Sequence, residues 1–351
     1  MSNRQSPFTI SIGSMKKALP LFILIMGFTG ALSQTNLQED KRRALAGIKS
    51  ELLWNYVDTA LSRQMVDSIN HFAETKYFED TSLNFDEFIY LVYQDLYSIS
   101  NDKHLSLHPE YHHDLTDTVA FNPGFSKRAS LWLRRLMLST RIYRLRRMDD
   151  ITFGPVLSLS ETVRYVEVLD FSTPRYMEKR RKPSLKQATR RLSKADTVII
   201  DLRNNRGGSL AVTAKFLSCF LENENEYLFT SRCIQIADTA HSDSNYFVNE
   251  HYWSEKVRKN MKLNKAMVYV LIGPNTFSAG ELAAYILGHK ANVVLIGGPT
   301  AGAGNGFYYF TYKPYSYLSN HSMSVPNCTS DDTTNQFNLE GIGVVPIVQC
   351  D

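Results

Sequence analysis

Twice in the C-terminal half of this chain, an unbroken run of aliphatic residues ends in a polar turn that opens directly into a helix-forming segment. The first run is DTVIIDLR at 196–203, followed by the turn 204–208 and the helical SLAVTAKFLSCFLE; the second is MVYVLIG at 267–273, followed by PNTF, the helical SAGELAAYILGHK and the apolar NVVLIGG. A strand that does not alternate is buried on both faces. Burying both faces calls for helices on either side of a parallel sheet, and that is an α/β core. RYVEVLDF at 164–171 adds a strand, and SLKQATRRLSKA at 184–195 a helix. The core is therefore read over residues 161–351.

Ahead of it, residues 34–103 read as a small helical N-terminal region. Leu52, Leu53, Tyr56, Val57 and Ala60, then Phe85, Phe88, Ile89, Val92 and Leu96, recur at spacings of three and four. Residues 104–160 hold a His-containing element and a connector. Within them KRASLWLRRLMLSTRIYRLRR, at 127–147, is basic and amphipathic. It suits a solvated helix face or a cap over the core better than a peripheral contact with an anionic membrane.

The chain has 351 residues, enough for one large domain or two ordinary ones, and its net charge of +4 is too mild for a dedicated nucleic-acid binder. From Met15 the text MKKALPLFILIMGFTGALSQ has the form of a signal peptide. Residues 1–33 are thus expected to be removed after Ser33, with translation starting at Met15, and the protein exported to the periplasm or the extracellular space. Cys219, Cys233, Cys328 and Cys350 would then meet oxidising conditions, where three pairings are open. The absence of CxxC leaves no basis for a zinc ribbon or a thioredoxin-type site.

The chemistry is expected at the two turns. A helix N-terminus presents unpaired N–H groups and favours an anion beside it. Ser278 opens such a helix, although S-x-x-E with Glu281 is equally a capping box, and on this fragment alone a cap is the better reading. Thr276 stands where the first glycine of G-x-S-x-G belongs, which disfavours an ordinary α/β-hydrolase. Gly207 and Gly208, closing the turn DLRNNRGG, permit close approach of backbone amides to an oxyanion. Their plainer reading is a strand-to-helix turn.

DLRNNRGGS, NTFSAGELAAYIL, IGGPTAGAG and EGIGVVP, in that order, resemble the S41 family of serine peptidases, which includes C-terminal processing and tricorn-type enzymes. The resemblance implies a ClpP/crotonase-like core of stacked ββα units. It implies Ser278 as nucleophile, with the amide of Gly207 or Gly208 and that of Ala279 as the oxyanion hole. Where the C-terminal processing branch carries a lysine base in T-x-G-K-G, this chain has Ala303, which excludes a Ser-Lys dyad there. DKHLSL at 102–107 matches instead the histidine element of the tricorn-like branch, making His104 the base, with Lys103 where some relatives have serine. Glu340, ahead of GIGVVP, is assigned the orienting role. Ile347 replaces the Asp that usually follows the proline.

His104, His108 and His112 would line one face of a helix as a zinc site, but Pro109 and the alternation of HLSLHP favour a strand or turn, so no metal is expected. The expected protein is an exported serine endopeptidase acting on peptides or proteins without metal or organic cofactor. The alternative is a catalytically silent relative that binds peptides or hydrophobic ligands in the same cleft.

Overall fold

The computed structural model describes residues 36–109, 153–171, 178–236, 245–307, 313–314, 318, 321–331 and 339–350. The expected signal peptide, the basic segment 127–147 and His112 lie outside them. The helices are α1 (36–55), α2 (Thr59–Phe72), α3 (Phe85–Ser100), α4 (Glu178–Leu192), α5 (Leu210–Leu217) and α6 (Ala279–Gly288). The strands are β1 (Ser106–Pro109), β2 (Leu157–Ser158), β3 (Val163–Glu167), β4 (Thr197–Asp201), β5 (Tyr227–Ile236), β6 (Asn245–Trp253) and β7 (Met267–Ile272). They continue with β8 (Val293–Gly297), β9 (Asn305–Gly306), β10 (Lys313–Pro314), β11 (His321–Ser324), β12 (Cys328–Asp331) and β13 (Val348–Gln349).

The two apolar runs are neighbours at the centre of a six-stranded sheet ordered β13-β8-β7-β4-β3-β2. From β13 to β3 every pairing is parallel, and only the short edge strand β2 is antiparallel. Val198 and Ile200 of β4 lie opposite Val268 and Val270 of β7, and all four are fully buried. Helices α5 and α6 supply Phe216, Leu217, Leu282, Ala283 and Leu287 to the same core. The mixed α/β architecture expected from the sequence is therefore present, and its central strands deliver both polar turns to one end of the sheet.

In the N-terminal half the apolar stripe across residues 52–60 is not one helix. Asp58 accepts the amides of Ala60 and Leu61 at 3.0 and 2.9 Å and so starts α2, while Leu52 (buried) and Leu53 (47% exposed) both belong to α1. Helix α3 follows the expected spacing, with Phe88, Ile89, Val92 and Leu96 buried under a capping box of Asn84 and Glu87. The helices do not close their core alone. Leu105 and Leu107 beside or within β1, together with Leu318 and Met323 from late in the chain, complete it. Strand β11 pairs with β1 in the small sheet β1-β11-β10.

A third sheet, β6-β5-β12-β9, carries the one disulfide among the described residues, Cys233–Cys328, between directly opposed positions of β5 and β12. Cys219 is free and buried, and Cys350 is free and exposed. Four cysteines thus yield a single bridge, because Cys219 sits in the helical turn after α5 whereas Cys350 ends the exposed strand segment at the sheet's edge.

Candidate active site

Ser278 stands between β7 and α6 with φ 54° and ψ −124°. A capping serine normally takes extended backbone. A positive φ on a residue with a Cβ costs about 1–3 kcal/mol and persists only where its surroundings impose it. Those surroundings are visible. Thr276, in place of the glycine of G-x-S-x-G, is fully buried; its Oγ1 donates to the Leu202 carbonyl (2.9 Å) and accepts the Gly273 amide (3.1 Å). The Phe277 amide donates to the Asn205 carbonyl at 2.9 Å. The two turns are thereby laced together.

Gly207 (φ 83°) meets this bend closely enough that a Cβ there would lie 2.7 Å from the Ser278 Cβ and 2.8 Å from the Ala279 nitrogen. Its own N–H, however, donates to Asn205 Oδ1 at 2.8 Å. Gly208 (φ 133°) is exposed, and the Ala279 amide belongs to the first turn of α6, where no intrahelical acceptor exists.

Glu281 does more than cap. Fully buried, it accepts the Ser278 amide (3.0 Å), Thr300 Oγ1 (2.6 Å), and the amides of Gly302 (2.6 Å) and Ala303 (2.8 Å). Burial pushes its carboxyl above the usual range, and the four donors pull it back. The loop 300–303 is thus tied to the Ser278 bend through one carboxylate. Ala303 buries a methyl where the related branch has a lysine.

His104 lies in the turn between α3 and β1, not on a helix, in keeping with Pro109 and the alternating pattern. His108 lies on β1 against Tyr93, 5.8 Å between ring centroids. The His104 ring packs on Phe277, the residue before Ser278, at 4.6 Å between centroids, and on Phe307 at 5.5 Å. Its Nδ1 is buried without a hydrogen-bond partner. Lys103 turns away to the 300–303 loop, where its Nζ donates to the Ala301 carbonyl.

Donor atoms of Asp102, His104 and Glu340 all lie within 4.8 Å of one another. Asp102 was not singled out in the sequence beyond its place in DKHLSL. It is fully buried; Oδ1 accepts the His104 amide (2.8 Å), and Oδ2 accepts Tyr56 OH (2.8 Å) and Asn305 Nδ2 (2.7 Å). With those oxygens already bonded, the cluster is better suited to handling protons than to chelating a cation. Glu340 Oε2 accepts the Asn305 amide at 2.7 Å. Burial, and secondarily the charge of Asp102, pushes Glu340 up to about 8. Burial pulls His104 down to about 4 against the opposing charge of Asp102, so the imidazole is neutral at physiological pH.

A stretch of 109 residues is 35% identical to the nisin-resistance protein of Lactococcus lactis subsp. lactis, covering 30% of this chain and 32% of that protein. The match thus spans about a third of that relative's length. Among solved structures, a lipoprotein from Streptococcus agalactiae superposes with a TM-score of 0.51 at 16% identity, over 89% of this chain and 92% of that one. Mature CPAF superposes with a TM-score of 0.58 at 13% identity, over 89% and 93%. Both show likeness of fold. The profile of Peptidase family S41 matches residues 162–342, more than half the sequence, and the chain therefore belongs to peptidase family S41, a family of serine peptidases acting on peptides or proteins.

Proposed function

We propose that this peptidase is exported and works through an acyl-enzyme on Ser278, with His104 as general base and Glu340 orienting the imidazole, as in the histidine-using, tricorn-like branch. The observation that carries the reading is the strained backbone of Ser278 at the start of α6. A helix cap gains nothing from that conformation, whereas a nucleophile is lifted by it out of the helix toward substrate. A silent binder leaves the strain without a purpose.

His104 Nε2 takes the proton as Ser278 Oγ adds to the peptide carbonyl carbon. The oxyanion rests on the amides of Gly208 and Ala279, since the Gly207 amide is held by Asn205. The imidazolium then protonates the leaving amine, the C–N bond breaks, and a water molecule repeats the sequence on the ester. Glu340, whose carboxylate lies within 4.8 Å of a His104 ring nitrogen, would accept the hydrogen bond that the buried Nδ1 lacks in this structure. Export is supported by the leader pattern ahead of Gln34 and by a bridged cysteine pair, which suits an oxidising compartment.

The test is a fluorophosphonate probe on mature protein followed by peptide mapping. Labelling at Ser278 that disappears in His104→Ala is expected; labelling elsewhere, or full turnover in His104→Ala, overturns the mechanism. N-terminal sequencing of exported material should begin at Gln34, and an intact Met15 start would overturn cleavage.

A further inference from the structure

Between the N-terminal helices and the strands of the C-terminal half lies one buried carboxylate whose partners come from three separate parts of the chain. Asp102 Oδ1 holds the backbone amide two residues on, at His104, a local turn that sets the direction in which the histidine leaves the chain. Asp102 Oδ2 receives Tyr56 OH from the segment after α1 and the side-chain amide of Asn305 from β9. The backbone amide of that same Asn305 binds Glu340 Oε2. Thr329 of β12 lies opposite Asn305, and the neighbouring Cys328 is bridged to β5, so the asparagine sits on a braced strand.

We infer that Asp102 is a positioning residue: through the His104 amide on one side and Asn305 on the other, it fixes the distance between the base and its orienting carboxylate, with Tyr56 anchoring the unit to the helical region. This rests on the assignment of His104 and Glu340 above. Asp102 touches neither substrate nor the reacting atoms and acts through its neighbours. The titratable and charged groups that face this unit are Tyr56, Tyr93, His104 and Glu340, with Glu281 acting on Glu340 and Asp58 on Tyr56. The charge of Asp102 opposes ionisation of Glu340, so a neutral isostere has two separable effects. It loosens the geometry at every pH, and it lets Glu340 ionise at lower pH.

The experiment compares Asp102→Asn and Asn305→Ala with the parent on a peptide that the parent cleaves, following kcat and KM separately across pH, with His104→Ala as the control. Asp102→Asn should lose about 10²-fold in kcat at pH values above the acid limb, with KM little changed, because misplacement by about an ångström costs on that scale. Its acid limb should also move to lower pH. Asn305→Ala keeps the charge and breaks the link, so its kcat should fall while the limb stays. If Asp102→Asn does not fold, Asn305→Ala carries the test alone: parental kcat there overturns the inference. Parental kcat and an unmoved limb in both variants, with His104→Ala inactive, overturns the positioning role and leaves the Ser-His mechanism standing. Full activity in His104→Ala removes the assignment beneath it.

Discussion

Replacing Ser278 by glycine separates two roles that predict opposite changes in stability. Were Ser278 a cap, glycine would cost a few tenths of a kcal/mol, and alanine about 1 kcal/mol. Its backbone, however, sits at φ 54° and ψ −124°, where a Cβ is strained by about 1–3 kcal/mol. Glycine releases that strain and gives back about 0.5–1 kcal/mol through the greater freedom of the unfolded chain. The balance is a gain of about 1 kcal/mol, or about 2–4 °C in Tm for a domain of this size. Alanine keeps the Cβ and the strain, so it should melt at or below the parent. Both variants should lose probe labelling and hydrolysis, because the covalent path needs Oγ. Calorimetry on parent, Ser278→Gly and Ser278→Ala, paired with turnover of one peptide, reads both quantities. A glycine variant that melts lower than the parent and still hydrolyses would refute the reasoning and return Ser278 to the role of a helix cap.

Gly207→Ala should abolish activity and destabilise the fold by at least about 2 kcal/mol, since its Cβ would fall 2.7 Å from the Ser278 Cβ at a φ of 83°; an active, equally stable variant in urea titration would contradict the close approach. Removing the bridge with Cys233→Ser and Cys328→Ser together should cost about 2–4 kcal/mol, because it releases a constraint on a 95-residue span, and an unchanged urea midpoint would mean that the pair contributes nothing. On the proposed mechanism the pH dependence follows from Glu340, which is pushed to about 8 and has to be ionised to hold the imidazole, whereas His104, at about 4, is already neutral. kcat/KM should therefore climb through about pH 8, lose that limb in Glu340→Gln, and show none near 6.5; a single limb at 6.5 would place the titrating base elsewhere. The same carboxyl keeps its proton in the folded chain after the unfolded chain has released it. Thermal stability should accordingly fall as pH rises from 4.5 toward 8, and Glu340→Gln should flatten that slope.

What could be read without coordinates was whatever the side chains state locally. Val198, Ile200, Val268 and Val270 fill one buried face of β4 and β7, and apolar Ile199, Tyr269 and Leu271 stand half-buried on the other, which is why these runs show no polar alternation. Strands β5, β6 and β12 were missed for the converse reason. β6 carries polar residues beside exposed Tyr246, Phe247 and Trp253, so no apolar periodicity marks it, and β12 takes its place by pairing with β5, a long-range event that propensity does not encode. The stripes of the helical region do not show that Leu318 and Met323 close its core from the far end of the chain.

The candidate site can be named from the sequence as residue types but not as backbone. In the sequence, Ser278 and Glu281 spell a capping box, and Glu281 does bind the Ser278 amide. The bend at Ser278 leaves room only for a glycine at 207, and the remaining bonds of Glu281 depend on the 300–303 loop arriving there. Neither is a property of the four letters SAGE. Asp102 escaped notice for the same reason, because its bond to the His104 amide is local but its bonds to Tyr56 and Asn305 cross 46 and 203 residues of sequence. A buried acid that gathers donors from such distances can be held only by the folded chain. That is why its substitution tests whether base and orienting carboxylate are positioned as a unit, and why Asn305→Ala, 203 residues away in sequence, tests the same unit from its other side.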